Sequence, residues 1–374
     1  MSVAGWTTGG RLLENMITDL FFVHNPTISL FFTSVETQTL IGTRGMILGC
    51  TIARSMLVAS TFIFAFSLMD KACAADARED VTIATGEVGG IYHPVGGAIC
   101  KLINEKTPEH GISCTIKITG GSSDNIEDLR DGSATFAIVQ SDSQYGAFKG
   151  IGAFENYGRF DQMRSMFAPY VEYFTLVARD DSDIGSFNDL KGKRVYLGQD
   201  GGDKSQTMQV VLDAFGWSAD ELEDISELKA PNVAEALCDN EIDAFIYTVG
   251  HPSASVREAM VTCRAVLVPV SGRALERLVN NSPIYMPAVI STRTYQDQLR
   301  DIPTLGLAAT LVTREDTKPE VVYQATKAFF ENLQRLREAT PLFSSLSTAE
   351  MVSRGRTAPL HGGASRYFSE AGLN

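Results

Sequence analysis

The chain has 374 residues and a formal net charge of -13, with 44% hydrophobic and 21% charged residues and with two Trp, eleven Tyr and twenty Phe. That is enough apolar material for one large or two ordinary cores, which excludes a disordered or collagen-like chain. Binding through phosphate counterion release needs clustered Lys and Arg, so an acidic chain without a basic block argues against nucleic acid and anionic membrane surfaces as partners.

In chain order the first feature is an apolar run of 14 residues, Met56 to Met69, preceded by Arg44 and Arg54 and followed by Ala72-Cys73-Ala74. Basic flank, short apolar stretch and small-x-small site in that order predict a secretory signal cleaved near Ala74 or Ala75, too short to span a bilayer. Residues 1–75 are then a signal peptide with an over-extended start, Met46 and Met56 being the candidate initiators. Asp70 and Lys71 disfavour lipid attachment at Cys73. Removing 1–75 takes away four basic residues (Arg11, Arg44, Arg54, Lys71) and four acidic ones (Glu14, Asp19, Glu36, Asp70), so all the excess acid stays with the secreted part.

That part keeps Cys100, Cys114, Cys238 and Cys263. Four cysteines in an oxidising compartment allow three disulfide connectivities, with buried free thiols as the alternative. Nearest-neighbour pairing would close two short loops, each worth on the order of 3 kcal/mol. No Cys-x-x-Cys or Cys/His cluster has zinc spacing.

Strands and helices then alternate. A strand over Val81 to Thr85 is followed by a helix opened by Pro94 and running to about Asn104. Strand Ile112 to Thr119 precedes a helix capped by Asp124-x-x-Glu127 and ended by Gly132, and strand Phe136 to Val139 runs into Gln140-Ser141-Asp142. Further strands are predicted at Tyr173 to Arg179, Arg194 to Leu197, Ile225 to Leu228, Ala244 to Tyr247, Ala265 to Val268 and Leu305 to Thr313. Helices are predicted at Ser205 to Phe215, Asn232 to Asp239, Ser253 to Met260 and Lys318 to Arg337. The alternation predicts parallel α/β sheets with ligands beyond the carboxyl ends of the strands. With no linker in a chain too long for one simple core, two lobes joined by crossing strands are expected: 76–183 plus 290–374 as lobe I, and 184–289 as lobe II.

Five segments can carry chemistry. Thr85 to Gly97 places glycines, Gly90 among them, between a strand and a helix, where backbone can approach a ligand and helix N–H groups can meet an anion. Tyr92 and His93 stand at that helix entrance, as ligand contacts or as a packed ring and a cap. The spacing is not Gly-x-Gly-x-x-Gly, so a dinucleotide cofactor is not expected. Ser122 and Ser123 follow Thr119-Gly-Gly at a strand-to-helix turn, where one hydroxyl can serve as an N-cap. Gln140, Ser141 and Asp142 are consecutive polar residues at a strand end. Gly201-Gly202-Asp203-Lys204-Ser205 nearly matches a P-loop, but Asp203 brings a carboxylate where phosphate would sit, which excludes nucleotide. Finally His251, in Tyr247-Thr-Val-Gly-His-Pro-Ser, is a ligand contact or a general base without a visible partner. No Gly-x-Ser-x-Gly, His-Glu-x-x-His or EF-hand pattern occurs, and no metal or cofactor is expected.

Together these segments resemble the TAXI family, the solute receptors of tripartite ATP-independent periplasmic (TRAP) transporters. The resemblance rests on Thr-Gly-x-x-Gly-Gly-x-Tyr-x-Pro-x-Gly-Gly from Thr85 to Gly97, Thr-Gly-Gly-Ser at Thr119 to Ser122, and Gln-Ser-Asp at Gln140 to Asp142. It continues through Asp-Leu-Lys-Gly-Lys-Arg-Val at Asp189 to Val195, Gly-His-Pro at Gly250 to Pro252, and His361 to Ala364. It implies a two-lobed, type II-like periplasmic binding protein, monomeric, that closes on a small organic solute in the inter-lobe cleft and delivers it to the membrane permease subunits. Tyr92, Ser122, Gln140, Ser141 and the turn from Gly201 to Ser205 would face the cleft. Relatives commonly carry Gly-Ser-Gly-Thr-like residues where this chain has Gly202 to Ser205, so Asp203 either pairs with Lys204 or selects a cationic solute. An enzyme on the same fold, using His251 or Asp142 as acid/base, is the alternative.

Overall fold

The computed structural model describes residues 78–197, 203–224 and 232–373; the segment expected as a signal peptide, 1–75, and the whole segment expected as a strand over Ile225 to Leu228 lie outside the described residues. β1 (Glu79–Ala84) leads through the glycine-rich turn to α1 (Tyr92–Asn104), β2 (Ile112–Lys117) to α2 (Ser122–Asp131), and β3 (Phe136–Gln140) directly into α3 (Ser141–Lys149). α1 starts two residues before Pro94, which still sits in the first turn, where its missing N–H would have no intrahelical partner. α2 starts after Gly121 rather than at Asp124, whose carboxylate instead accepts the Gly120 N–H at 2.8 Å. It ends as expected on Gly132, at φ +83°.

β4 (Met163–Arg179) is 17 residues long and begins ten residues before the predicted Tyr173. β5 (Arg194–Tyr196), α4 (Asp203–Phe215), β6 (Glu223–Asp224), α5 (Val233–Cys238), β7 (Ala244–Val249), α6 (Ala254–Cys263) and β8 (Ala265–Val268) continue the alternation. α7 (Arg273–Asn281) and β9 (Tyr285–Ile290), which were not predicted, precede β10 (Ile302–Arg314). The single helix expected over Lys318 to Arg337 is two, α8 (Pro319–Glu331) and α9 (Leu333–Ala339), because the Asn332 side chain donates back to the Ala328 carbonyl at 2.9 Å and competes with the helical ladder. α10 (Thr348–Ser353) and α11 (Gly362–Glu370) complete the chain.

The strands form one sheet in the order β2-β1-β3-β10-β4-β7-β5-β6, with β8 on β4 and β9 on β10. β1, β2 and β3 are parallel, as are β5, β6 and β7, while β4 and β10 run antiparallel between the two groups. β4 pairs with β10 over Met163 to Tyr173, then with β7 and β8 over its remaining length. β10 pairs with β9 over Ile302 to Leu307 and with β3 over Ala309 to Thr313. The fold is therefore α/β with two groups of parallel strands joined by two crossing strands.

The apolar packing changes hands inside those strands. Tyr170, Val171, Ala308 and Ala309 belong to a core with Ile99 of α1 and Phe329 of α8. Phe174, Leu176, Leu305 and Leu307 belong to another with Leu212 of α4 and Trp217. The change falls between Val171 and Phe174 and between Leu307 and Ala308, within the strands. Disulfides join Cys100 to Cys114 and Cys238 to Cys263, each within one half, in the nearest-neighbour pairing.

Gly96 lets α1 approach the sheet, since a Cβ there would collide with Cγ2 of Thr85 and touch Ile116 and Ile138. Gly96→Ala is expected to cost about 1–3 kcal/mol, the range for overpacking. Urea unfolding checks this as a lower midpoint at unchanged slope; an unchanged midpoint would mean that Thr85 yields freely.

Candidate functional site

Directly opposed residues in a sheet share a face, as do residues two apart along a strand. Gln140 opposes Ala309, which opposes Tyr170; Leu307 opposes both Glu172 and Tyr285; Thr248 opposes Phe174. Gln140, Tyr170, Glu172, Thr248 and Tyr285 therefore stand on one face, along the row where one apolar core gives way to the other.

Hydrogen bonds tie this row to the helix starts above it. Burial keeps Glu172 among donors: Tyr92 Oη donates to its Oε2 at 3.2 Å and Tyr170 Oη to its Oε1 at 3.4 Å. Tyr92 Oη also lies 3.3 Å from Ser122 Oγ, which accepts the Gln140 N–H at 2.9 Å. Burial, reinforced by the Glu172 charge, holds the Tyr170 phenol well above its ordinary value, so it remains a donor. Asn125 braces the turns behind, donating to the main-chain oxygens of Thr85 and of Ile138. The side-chain oxygen of Gln140 and the hydroxyls of Ser141 and Thr248 are buried without a hydrogen-bond partner.

The structure brings Tyr92, Ser122, Gln140, Ser141 and Asp142 into one neighbourhood and separates His251 from it. His251 packs against Tyr173 and Thr175, which point to the opposite face of β4 from Glu172. Its Nε2 is 2.9 Å from Thr175 Oγ1 and its Nδ1 bonds the Tyr295 hydroxyl, so both ring nitrogens are occupied and neither is left for a solute or for proton transfer. Gly90 lies in an exposed turn bonded to Glu87, and His93 is half-buried in the first turn of α1 with its Nδ1 unpartnered. Ser123 is half-buried at the second position of α2. Asp203, Lys204 and Ser205 open α4, whereas Gly201 and Gly202 lie outside the described residues.

Glu172, Tyr170, Thr248, Thr207 and Tyr285 were not anticipated. Glu172 had a signal: one carboxyl group inside Phe167-Ala-Pro-Tyr-Val-Glu-Tyr-Phe, an otherwise apolar strand sequence. The other four look like ordinary strand and helix residues until the register is known. Among the described residues no group of His, Cys, Asp and Glu can hold a metal ion, and no helix is long and apolar enough to cross a membrane.

The profile of the NMT1-like family matches residues 83–372, from β1 through α11. The chain belongs to the NMT1-like family. Among solved structures, this NMT1-like chain is similar to a putative L-cystine ABC transporter protein from Listeria monocytogenes, at 14% identity over 72% of this chain and 98% of that one, with a TM-score of 0.44. It is also similar to the periplasmic aliphatic sulphonate binding protein SsuA from Escherichia coli, at 12% identity, 78% and 84% coverage and a TM-score of 0.45. MatC from Rhodopseudomonas palustris, solved with bound malate, matches at 11% identity, 71% and 88% coverage and a TM-score of 0.49.

Burial pushes His251 down to about 3 from an ordinary 6.5. The unfolded chain takes up this proton near pH 6.5 and the folded chain only near pH 3, so stability is intact above that window and is lost as pH falls through it. The loss reaches up to about 1.4 kcal/mol per pH unit. His251→Gln in the NMT1-like chain is expected to flatten the fall of the urea midpoint on acidification from pH 6.5 to pH 4; parallel curves for both proteins would remove His251 as its source.

Proposed function

We propose that this chain is an extracytoplasmic solute-binding receptor that captures a small organic solute, an amino acid or similar carboxylate, between its two halves and delivers it to a membrane permease. The observation that carries this reading is the pair of unpartnered buried polar groups, Gln140 from one half and Thr248 from the other, on the same face as Glu172. An unsatisfied buried polar group costs about 1–3 kcal/mol, which a solute bonding to both halves at once would recover. The acidic Glu172 suits an ammonium group, and the starts of α2 and α3 beside it suit a carboxylate, so a zwitterion matches the polarity of the floor.

The ordered series of six motifs supports a TRAP permease as the membrane partner and the periplasm as the location. The enzyme alternative draws no support from the residues nominated for it. Both His251 nitrogens are occupied, and Asp142 accepts from Thr207 and from the Ser143 N–H.

Protein exported to the periplasm and purified without denaturant is expected to release one small polar solute on unfolding, identified by mass spectrometry. Tyr92→Phe, which loses the hydroxyl shared with Ser122 and Glu172, is expected to weaken rebinding of that solute about tenfold. Chemical turnover of the recovered solute would favour the enzyme. Solute uptake with the candidate permease in vesicles under an ion gradient, without ATP, supports the TRAP assignment; an ATP requirement counts against it.

A further inference from the structure

Asp142 was expected to face the solute, yet its carboxylate is committed elsewhere. Its Oδ1 accepts the Ser143 N–H at 2.7 Å, and its Oδ2 accepts the Thr207 hydroxyl at 2.8 Å. Burial, reinforced by the charge of that carboxylate, holds the Tyr285 phenol well above its ordinary value, so a protonated hydroxyl stands beside Asp142 and Thr207. Asp142, Thr207 and Tyr285 are 2%, 0% and 7% exposed.

The three residues come from different elements and from both halves. Asp142 is in the first turn of α3, which packs on the first half through Ala147. Thr207 is in the second turn of α4 and Tyr285 starts β9, and Tyr285 and the Met208 that follows Thr207 belong to the core of the second half. Hydrogen bonds inside one half would survive a rigid hinge motion, whereas these would break. A buried carboxylate needs donors, and here donors from the second half supply them only while the halves stay together.

We propose that Asp142, Thr207 and Tyr285 form a clasp between the halves that biases the protein toward its closed arrangement before any solute arrives. This rests on the reading of the molecule as a two-half receptor. Thr207 and Tyr285 are then positioning residues: they hold the start of α4 against the Gln140-Ser141 strand end without touching solute. A bond to a charged acceptor is worth enough to multiply the closed-to-open ratio by about tenfold or more. Losing the Thr207 bond and the phenol beside it therefore moves the population strongly toward the open form, and the clasp raises solute affinity by reducing the fraction of molecules in the form that binds poorly.

The test is small-angle X-ray scattering of the solute-free secreted protein and of the double variant Thr207→Val/Tyr285→Phe. Thr310→Val is the control, since Thr310 Oγ1 bonds Gln144 Oε1 and the Val139 carbonyl wholly within the first half. The expected result is a larger radius of gyration for the double variant with a retained cooperative thermal transition, while the control loses thermal stability at an unchanged radius. A double variant with the wild-type radius overturns the proposal, whether or not its melting temperature falls, because the bonds would then be ordinary packing. Should the double variant not fold, Thr207→Val alone carries the same comparison with a smaller expected shift. Scattering needs no solute, so the two readings fail separately: expansion without any recoverable solute would keep the clasp and sink the receptor, and solute recovery without expansion would do the reverse.

Discussion

β4 and β10 hydrogen-bond to each other, antiparallel, through the middle of the molecule. At about 3.3 Å per residue a strand of 17 residues is long enough to leave one packed layer and enter another, and β4 does so. Each strand must satisfy two sets of neighbours in sequence: β10 bonds β9 and then β3, and β4 bonds β10 and then β7 and β8. Where β10 turns from one set to the other, its register against β4 shifts beyond Ala309, the local irregularity that re-aims a strand.

A row of residues between two apolar cores follows from that arrangement. On either side the inward face of β4 is apolar, Phe167 and Tyr170 toward one core and Phe174 and Leu176 toward the other. Between them the same alternation brings up Glu172. In a continuous core an acidic group would be excluded, but here the hydroxyls of Tyr92 and Tyr170 meet it with donors. The polar row and the unpartnered Gln140 and Thr248 groups sit along this seam, where one apolar core gives way to the other.

Much of the local structure was legible. Glycine at 132 ended its helix, the strand-helix alternation predicted parallel strands, and of the three disulfide connectivities the nearest-neighbour one is formed. What was lost followed from pattern: Met166 to Val171 is apolar on both faces, so it shows no alternation, and the strand seemed to begin only at Tyr173. The missing half of β4 took Glu172 with it. His251 illustrates the opposite error, a residue conspicuous in sequence whose ring nitrogens are both taken by hydroxyls from Thr175 and Tyr295, 76 and 44 residues away.

Sequence alone determined the fold class and which strand ends carry polar and glycine-rich turns, because these depend on neighbours a few residues apart. Tertiary structure decided which of those turns share a face, since face is set by register between strands distant in the chain, and register is a property of pairing rather than of composition. It also decided that Asp142 accepts from Thr207, a contact over 65 residues that no local pattern encodes.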